Sequence, residues 1–219
     1  IDLLHAARRV FKLRLGRCSL TRMEEAVFGE TREDDLPGSE VPKRYFEYLT
    51  SRDEGLLEQV LDHNRQDILS LARLFIHMVS LHEKPLETAH QQDLFSMVKA
   101  FEHQKKHIKA QECYQACSEG SVRDMARLRL ADMYRKNRMD AEAVKEYEAL
   151  RSGRSATGRV YIELSKIYEH RFRRPERALE IARQGMIYCS ERIGFSDTAK
   201  EDFSNLEHRS QRLMRKVNR

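Results

Sequence analysis

Residues 61–75, LDHNRQDILSLARLF, place a polar pair at the head of an apolar run with helical spacing. The apolar positions of this run and its continuation are Ile68, Leu69, Leu71, Ala72, Phe75, Ile76 and Val79. Recurrence at three and four residues is typical of one face of an amphipathic helix. The pattern predicts a long helix from about Asp62 to about His82, with Pro85 just beyond its end.

The polar pair in this stretch is His63 and Asp67, and their spacing places both side chains on the same helix face. An imidazole can act as a general base, and a carboxylate is a ligand that Mg²⁺ or Mn²⁺ prefers. Taken alone, however, the spacing favours a simpler explanation. In that explanation Asp62 or Asn64 caps the start of a helix and Asp67 has no chemical role.

The segments before this helix also carry helix signals. Residues 2–15 have apolar spacing typical of a helix, with Gly16 as its C-terminal stop. Ser19 is placed as the N-cap of a second helix ending at Gly29. An acidic loop with two prolines follows over 30–42, and a short amphipathic helix follows that loop.

After about residue 88 the sequence changes to paired helices with an internal period. Phe101, Tyr134 and Tyr168 are separated by 33 and 34 residues, and alanines follow them as Ala110, Ala143 and Ala178. An aromatic residue in one helix and a small residue where two helices cross match the tetratricopeptide pattern. An ordinary helical bundle with chance similarity is the alternative. The last 25 residues are predicted to form a capping helix.

Composition limits the class of protein. Of 219 residues, 40% are hydrophobic and 34% charged, with nine Gly and four Pro, as in a helix-rich globular chain. No apolar run approaches the roughly 20 residues that a membrane helix needs, so we expect a cytoplasmic protein without membrane contact. The chain opens without Met, which suggests an upstream portion. Four scattered cysteines indicate buried thiols, although Cys113 and Cys117 with two histidines nearby could be considered for zinc.

Charge is distributed unevenly along the chain. Residues 1–90 hold 13 basic and 16 acidic side chains, whereas the rest holds 27 and 19, a net charge of +8. A basic half is compatible with a nucleic-acid partner, but taken alone it favours a solvated helical surface on which Arg balances Glu. The candidate nucleic-acid-binding residues are Arg123, Arg127, Arg173 and Arg174.

Two strings in the first part, DLLHAARRVFKLRLGRCSL and HNRQDILSLARLF, resemble the C-terminal half of a ribonuclease H-like exonuclease domain. The family is the YprB-like group of the DEDD exonuclease superfamily, in which tetratricopeptide repeats often follow the domain. The resemblance implies a mostly α chain. Residues 1–87 would be the helical C-terminal part of an incomplete α/β domain, and residues 88–219 a tetratricopeptide-like domain.

The resemblance also implies a chemistry. In that superfamily four carboxylates hold two divalent metal ions, and the metals activate water at the scissile phosphate. The last motif alone is recognisable here, with Asp67 as a ligand for Mg²⁺ or Mn²⁺ and His63 as the general base. The segments with the other carboxylates are absent, so we expect this chain to be inactive alone.

Two functions follow as hypotheses. The first is part of a metal-dependent 3′-5′ exonuclease acting on DNA or RNA, with a repeat domain that binds nucleic acid or a protein. The second is a non-enzymatic tetratricopeptide scaffold that binds a protein partner on its stacked helices. The sequence does not distinguish DNA from RNA.

Overall fold

The computed structural model describes residues 2–32 and 36–218, and this part of the chain contains helices and no strand. Two compact units form, Ile1–Lys106 and His107–Arg219. The first unit contains α1 (Leu3–Leu15), α2 (Leu20–Met23) with a π-helical continuation (Glu24–Phe28), α3 (Val41–Ser51), α4 (Gly55–Glu83), a 3-10 turn (Pro85–Glu87) and α5 (Gln91–His103). The second contains α6 (His107–Ala116), a 3-10 turn (Gly120–Val122), α7 (Arg123–Lys136), α8 (Asp140–Arg151), α9 (Gly158–His170), α10 (Pro175–Ser190) and α11 (Asp197–Val217). The predicted mostly α fold class is confirmed.

Local caps bound the first helices of the first unit, and Gly16, Ser19 and Gly29 lie at the boundaries that the sequence predicts. Asp2 accepts a hydrogen bond from the Leu4 amide at 2.8 Å, and α1 ends at Gly16 with a φ of 69°. Ser19 caps α2, and Gly29 ends the π-helical continuation in a left-handed conformation. These local signals determine where the chain turns.

The core of the first unit lies where α1, α2 and α4 meet. Ala7 and Phe11 of α1 are buried against Cys18, Met23 and Leu74. Helix α5 packs on α1, where the Arg14 guanidinium contacts the buried Asp93 carboxylate at 2.8 Å. By compactness α5 therefore belongs with the first unit. The domain boundary predicted at 87/88 was drawn from the family resemblance and not from compactness, and it stays a prediction.

Helix α4 begins earlier than the sequence predicts. It starts at Gly55 rather than near Asp62 and runs unbroken for 29 residues. Asp62 and Asn64 consequently lie inside the helix, where neither can cap its N-terminus. The capping explanation for the polar pair is therefore wrong. No Pro or Gly interrupts residues 56–62, so propagation from Gly55 is favoured over a new start.

Much of the apolar face of α3 and α4 is exposed. Side chains that are 40% or more exposed are Tyr45, Phe46, Leu49, Leu61, Ile68, Leu69, Leu71, Phe75, Ile76 and Val79. The apolar face of α4 predicted from the sequence is present, but its large side chains keep 40% or more of their surface exposed. Exposed apolar patches of this kind mark interaction surfaces.

The second unit buries small residues where its helices cross. Ala131, Ala143, Ser165 and Ala178 are all fully buried, and the Ser165 hydroxyl donates to the Ala178 carbonyl at 2.9 Å. Tyr147 is also fully buried and donates to an Asp132 carboxylate oxygen at 2.6 Å. Close helix contact at small residues is the arrangement that the sequence period predicts.

A turn recurs after each of the three aligned aromatic residues. A non-glycine residue with positive φ follows each one, namely Lys105, Arg138 and Arg173. The next amide then donates back to the aromatic residue's carbonyl, at 2.9, 2.9 and 2.8 Å for Lys106 to Phe101, Met139 to Tyr134 and Arg174 to Tyr168. A similar chain reversal therefore recurs at about the period found in the sequence, with one additional residue in the third turn.

Gly185 in α10 lies where the helix meets α9 and α11, and Gly185→Ala is expected to destabilise the second unit. A Cβ there would lie 2.6 Å from Tyr161 Cβ and 2.9 Å from Leu206 Cδ1, closer than contact allows. Overpacking of this kind costs about 1–3 kcal/mol, which outweighs the roughly 1 kcal/mol of helix propensity gained. Urea denaturation followed by circular dichroism measures the loss. Gly194→Ala is the matched control because its Cβ would meet open space; equal effects would contradict the packing argument.

Candidate functional site

His63 and Asp67 occupy one face of α4, as the sequence predicts. The His63 Nε2 atom lies 3.7 Å from Asp67 Oδ2, with side chains 14% and 37% exposed. The imidazole is largely enclosed, whereas the carboxylate keeps part of its surface open to solvent. The pair is therefore accessible to a small ligand from the side of Asp67.

The other oxygen of Asp67 is held by Arg32. Its Nη2 atom lies 2.7 Å from Asp67 Oδ1 and 2.6 Å from Glu24 Oε1, while its Nε atom donates to Glu24 Oε2 at 2.7 Å. The guanidinium thus forms a two-bond fork with Glu24 and a single bond with Asp67. This arrangement fixes Oδ1 of Asp67 and turns Oδ2 toward His63.

Glu24 is buried, with 3% of its surface exposed, and it begins the π-helical segment. Removing a carboxylate from water is costly unless a charged partner satisfies it, and Arg32 provides that partner. Single-turn π-helical segments are frequent at functional sites. Glu24 and Arg32 were missed by the sequence analysis; the available signal was a Glu enclosed by Met23, Ala26 and Val27.

A second ion pair fixes the chain next to Arg32. Arg73 of α4 binds both carboxylate oxygens of Glu30 at 2.5 and 2.9 Å, and its guanidinium lies 4.5 Å from the Phe28 ring centroid. The hydrogen bond from Arg73 lowers the pKa of the Glu30 carboxyl. Arg73 therefore has a carboxylate partner on the segment that leads to Arg32.

Metal binding needs more ligands than this part of the chain provides. Over residues 2–32 and 36–218, no three His, Cys, Asp or Glu side chains are grouped to hold an ion. Asp67 offers one oxygen to a metal, and its other oxygen is engaged by Arg32. The described residues alone do not fit a divalent metal centre.

The cysteines do not support the zinc alternative. Cys113 and Cys117 are buried and form no disulfide within the described residues, and burial raises the pKa of each thiol to about 11. Within the described residues, no third His, Cys, Asp or Glu side chain is grouped with them to hold an ion. Packing is the role that the geometry gives them.

The four predicted nucleic-acid-binding arginines fall into two classes. Arg123 and Arg127 lie on α7 and pair with Asp124 at 3.0 Å and Glu146 at 3.1 Å. Arg173 and Arg174 lie in the turn between α9 and α10, are exposed, and make no side-chain ion pair within the described residues. All four belong to the second unit, whereas His63 and Asp67 belong to the first.

Comparison with known proteins shows a family resemblance within the first unit. Residues 1–79 match the model of the RNase H superfamily. The chain is 35% identical over 193 residues to the uncharacterized protein YprB of Bacillus subtilis (strain 168), covering 84% of this chain and 46% of that protein. The chain therefore spans about half the length of this curated relative.

No solved structure matches the chain. Among the described residues, no helix combines the length and the apolar character needed to cross a bilayer. The matched range contains all four side chains of the network around Asp67. Residues 1–79, with His63, Asp67, Glu24 and Arg32 among them, thus carry a domain of the RNase H superfamily.

Proposed function

We propose that this chain is part of a metal-dependent 3′-5′ exonuclease-like protein of the DEDD type that acts on DNA or RNA. The observation that carries the proposal is the Asp67 carboxylate, fixed by Arg32 and facing His63 within the domain of the RNase H superfamily. The superfamily acts on nucleic acids, so the substrate class follows from the family.

His63 and Asp67 have distinct roles in this proposal. Asp67 would supply one oxygen ligand to Mg²⁺ or Mn²⁺, and the remaining ligands would come from carboxylates outside the described residues. A bound metal would supply charge stabilisation at the scissile phosphate. His63 would orient the attacking water and accept its proton on the imidazole. The His63 Nε2 atom lies 3.7 Å from Asp67 Oδ2, so the imidazole is next to the carboxylate that would hold the metal.

Arg32 and Glu24 are positioning residues in this proposal. Because Arg32 binds one oxygen of Asp67, the carboxylate cannot rotate freely when His63 or a ligand approaches. Glu24 holds Arg32 through two hydrogen bonds from a buried position. A fixed carboxylate loses less entropy on ligand binding than a mobile one, which favours a preorganised site.

The exposed apolar face of α3 and α4 supports an incomplete domain. Ten large apolar side chains are exposed on α3 and α4, and exposed apolar patches of this size mark surfaces that another part of a protein or a partner covers. We assign this face to the strands of the same RNase H-like domain, which would cover it in the longer protein. The four buried cysteines, which form no disulfide within the described residues, agree with a reducing, cytoplasmic location.

The second candidate function, for the second unit, is a tetratricopeptide-like scaffold that binds a protein. The recurring turn and the buried alanines favour a repeat architecture, and stacked helix pairs present extended binding surfaces. The pairing of Arg123 and Arg127 with carboxylates favours a protein partner on that part of the surface. Both candidates can hold together in one longer protein.

Activity measured on a longer protein tests the proposal. A protein containing this chain and the rest of the RNase H-like domain is expected to shorten 5′-labelled single-stranded DNA or RNA stepwise with Mg²⁺ or Mn²⁺. EDTA should stop the reaction, and the 219-residue chain alone should show none, because its described residues provide one metal-ligating carboxylate. Denaturing gels resolve the products. A longer protein that cleaves neither substrate with either metal would contradict the proposal.

A further inference from the structure

A buried carboxylate near the end of α9 forms ion pairs with several basic side chains. Glu169 is 1% exposed, and three cations of α11 converge on its oxygens. The Arg209 Nη1 atom lies at 2.8 Å, Arg212 Nη2 at 2.5 Å and Lys216 Nζ at 3.5 Å. His170 Nε2 adds a fourth contact at 3.3 Å.

The three cations share one face of α11. Arg209, Arg212 and Lys216 are spaced at three and four residues, which aligns them along a single helix stripe. Arg209 is mostly enclosed, whereas the side chains of Arg212 and Lys216 are 53% and 50% exposed. The stripe therefore runs from the buried carboxylate outward into solvent.

Arg212 and Lys216 have no carboxylate partner other than Glu169 among the described residues, so they share one carboxylate with Arg209. The electrostatics of the buried groups agree with this sharing. Burial lowers the pKa of the Arg209 guanidinium, and repulsion from Arg212 acts in the same direction. Burial alone would raise the pKa of Glu169, yet it is lowered because Arg212, His170 and Arg209 favour the carboxylate.

The turn that follows α9 adds further cations at the same helix end. Arg173 and Arg174 are exposed there without side-chain ion pairs in the described part of the chain, while Arg171 contacts Asp140 at 3.7 Å. Arg173 has a φ of 56° in the recurring turn. The Arg174 amide donates to the Tyr168 carbonyl at 2.8 Å, so backbone geometry defines this cationic turn, which begins two residues after Glu169 in the sequence.

We propose that the α9 end surface, defined as Arg173, Arg174, Arg212 and Lys216, binds the phosphodiester backbone of a single-stranded nucleic acid. Guanidinium groups match phosphate geometry, and an array of separated cations suits a chain of phosphates better than one isolated anion. This inference goes beyond the proposed function, because it assigns binding to the second unit and does not need the site at Asp67.

A nucleic acid fits this surface better than an anionic membrane does. Peripheral membrane surfaces combine cations with large apolar side chains that insert among the lipids. Here Phe172 is 37% exposed and packs its ring edge-on against Tyr168 at 5.5 Å, and Met214 is 36% exposed. The cations of the α9 end surface therefore lack a strong apolar anchor beside them.

The test measures how binding of the 219-residue chain to labelled oligothymidylate and oligouridylate of about 20 nucleotides depends on salt. Fluorescence anisotropy of the labelled oligonucleotide reports the binding. The site variant combines Arg212→Gln and Lys216→Gln. Arg123→Gln with Arg127→Gln is the matched control, since it removes the same net charge from arginines paired with Asp124 and Glu146.

Loss of two phosphate contacts predicts weaker binding by the site variant, on the order of tenfold at about 50 mM salt. The slope of log affinity against log salt should become shallower by about 1.4, and the control should change both quantities little. Circular dichroism establishes that each variant is folded.

Three results would overturn the proposal. They are no binding by the original chain at about 25 mM salt, equal weakening by site and control variants, and an unchanged salt slope in the site variant. Vesicles with and without phosphatidylserine provide the competing anionic surface. Binding to them that depends on Arg212 and Lys216, without binding to either oligonucleotide, would assign the surface to lipid instead.

Discussion

Asp67→Asn in the longer protein is expected to reduce metal-dependent cleavage by about 10³-fold or more, equivalent to about 4 kcal/mol of transition-state stabilisation. In the original protein Arg32 Nη2 donates to Asp67 Oδ1 at 2.7 Å. Asparagine keeps the shape of the side chain and an amide oxygen that can accept the same hydrogen bond. It removes the negative charge that a divalent metal requires. The fold should persist while the chemistry is lost, and single-turnover rates on a 5′-labelled oligonucleotide measure the effect.

Asp62→Asn is the matched control for this change. Asp62 lies on the same helix, close in sequence to Asp67, and is exposed. The control should keep the original rate, and both variants should give the original circular dichroism spectrum. Undiminished cleavage by Asp67→Asn would remove Asp67 from the active site. If Asp62→Asn lost as much activity as Asp67→Asn, the effect would belong to the helix rather than to one carboxylate.

The sequence could predict the pair on α4 but not the side chains that hold it. His63 and Asp67 are four residues apart, so helix geometry alone places them together. Arg32 is 35 residues from Asp67 and reaches it from the segment after the π-helical turn. No periodic pattern encodes such a contact, because it depends on how separate segments pack.

Helix positions show the same division between local and long-range information. Gly16 and Ser19 were correct boundary predictions because each cap involves only neighbouring residues. The start of α4 was placed too late because Asp62 and Asn64 resemble caps wherever they occur. Apolar periodicity predicted a face on α4, but periodicity carries no information about what covers that face.

Charge composition located the basic half of the chain, but it could not tell arginines that pair with carboxylates from arginines that do not. Arg123 and Arg127 resembled Arg173 and Arg174 in the sequence, yet only the first two have carboxylate partners among the described residues. The cluster around Glu169 went unnoticed, because its cations lie 40 or more residues away on α11. Which cations are surplus depends on tertiary contacts.

Glu169→Gln is expected to lower the free energy of unfolding of the second unit by about 3 kcal/mol at neutral pH. Glutamine fills the same space but leaves Arg209, Arg212 and Lys216 without their shared counter-charge. Arg209 is most affected, because its side chain is only 14% exposed and cannot regain full hydration. Circular dichroism during urea denaturation measures the difference. Glu191→Gln, which breaks an exposed pair with Arg192, should change stability by no more than about 0.5 kcal/mol.

The pH dependence of this difference separates a charge effect from a packing effect. Because the folded state lowers the pKa of Glu169, its stabilisation is present above the ordinary value of 4.5 and is lost as pH falls through the folded-state pKa. Glutamine does not titrate there, so the two proteins should approach equal stability in acid. A gap that stays constant from neutral to acidic pH would mean that the substituted glutamine side chain merely packs poorly. A gap that closes would show that the Glu169 charge holds α11 against α9, and hence that the surface cations Arg212 and Lys216 are positioned by a carboxylate beneath them.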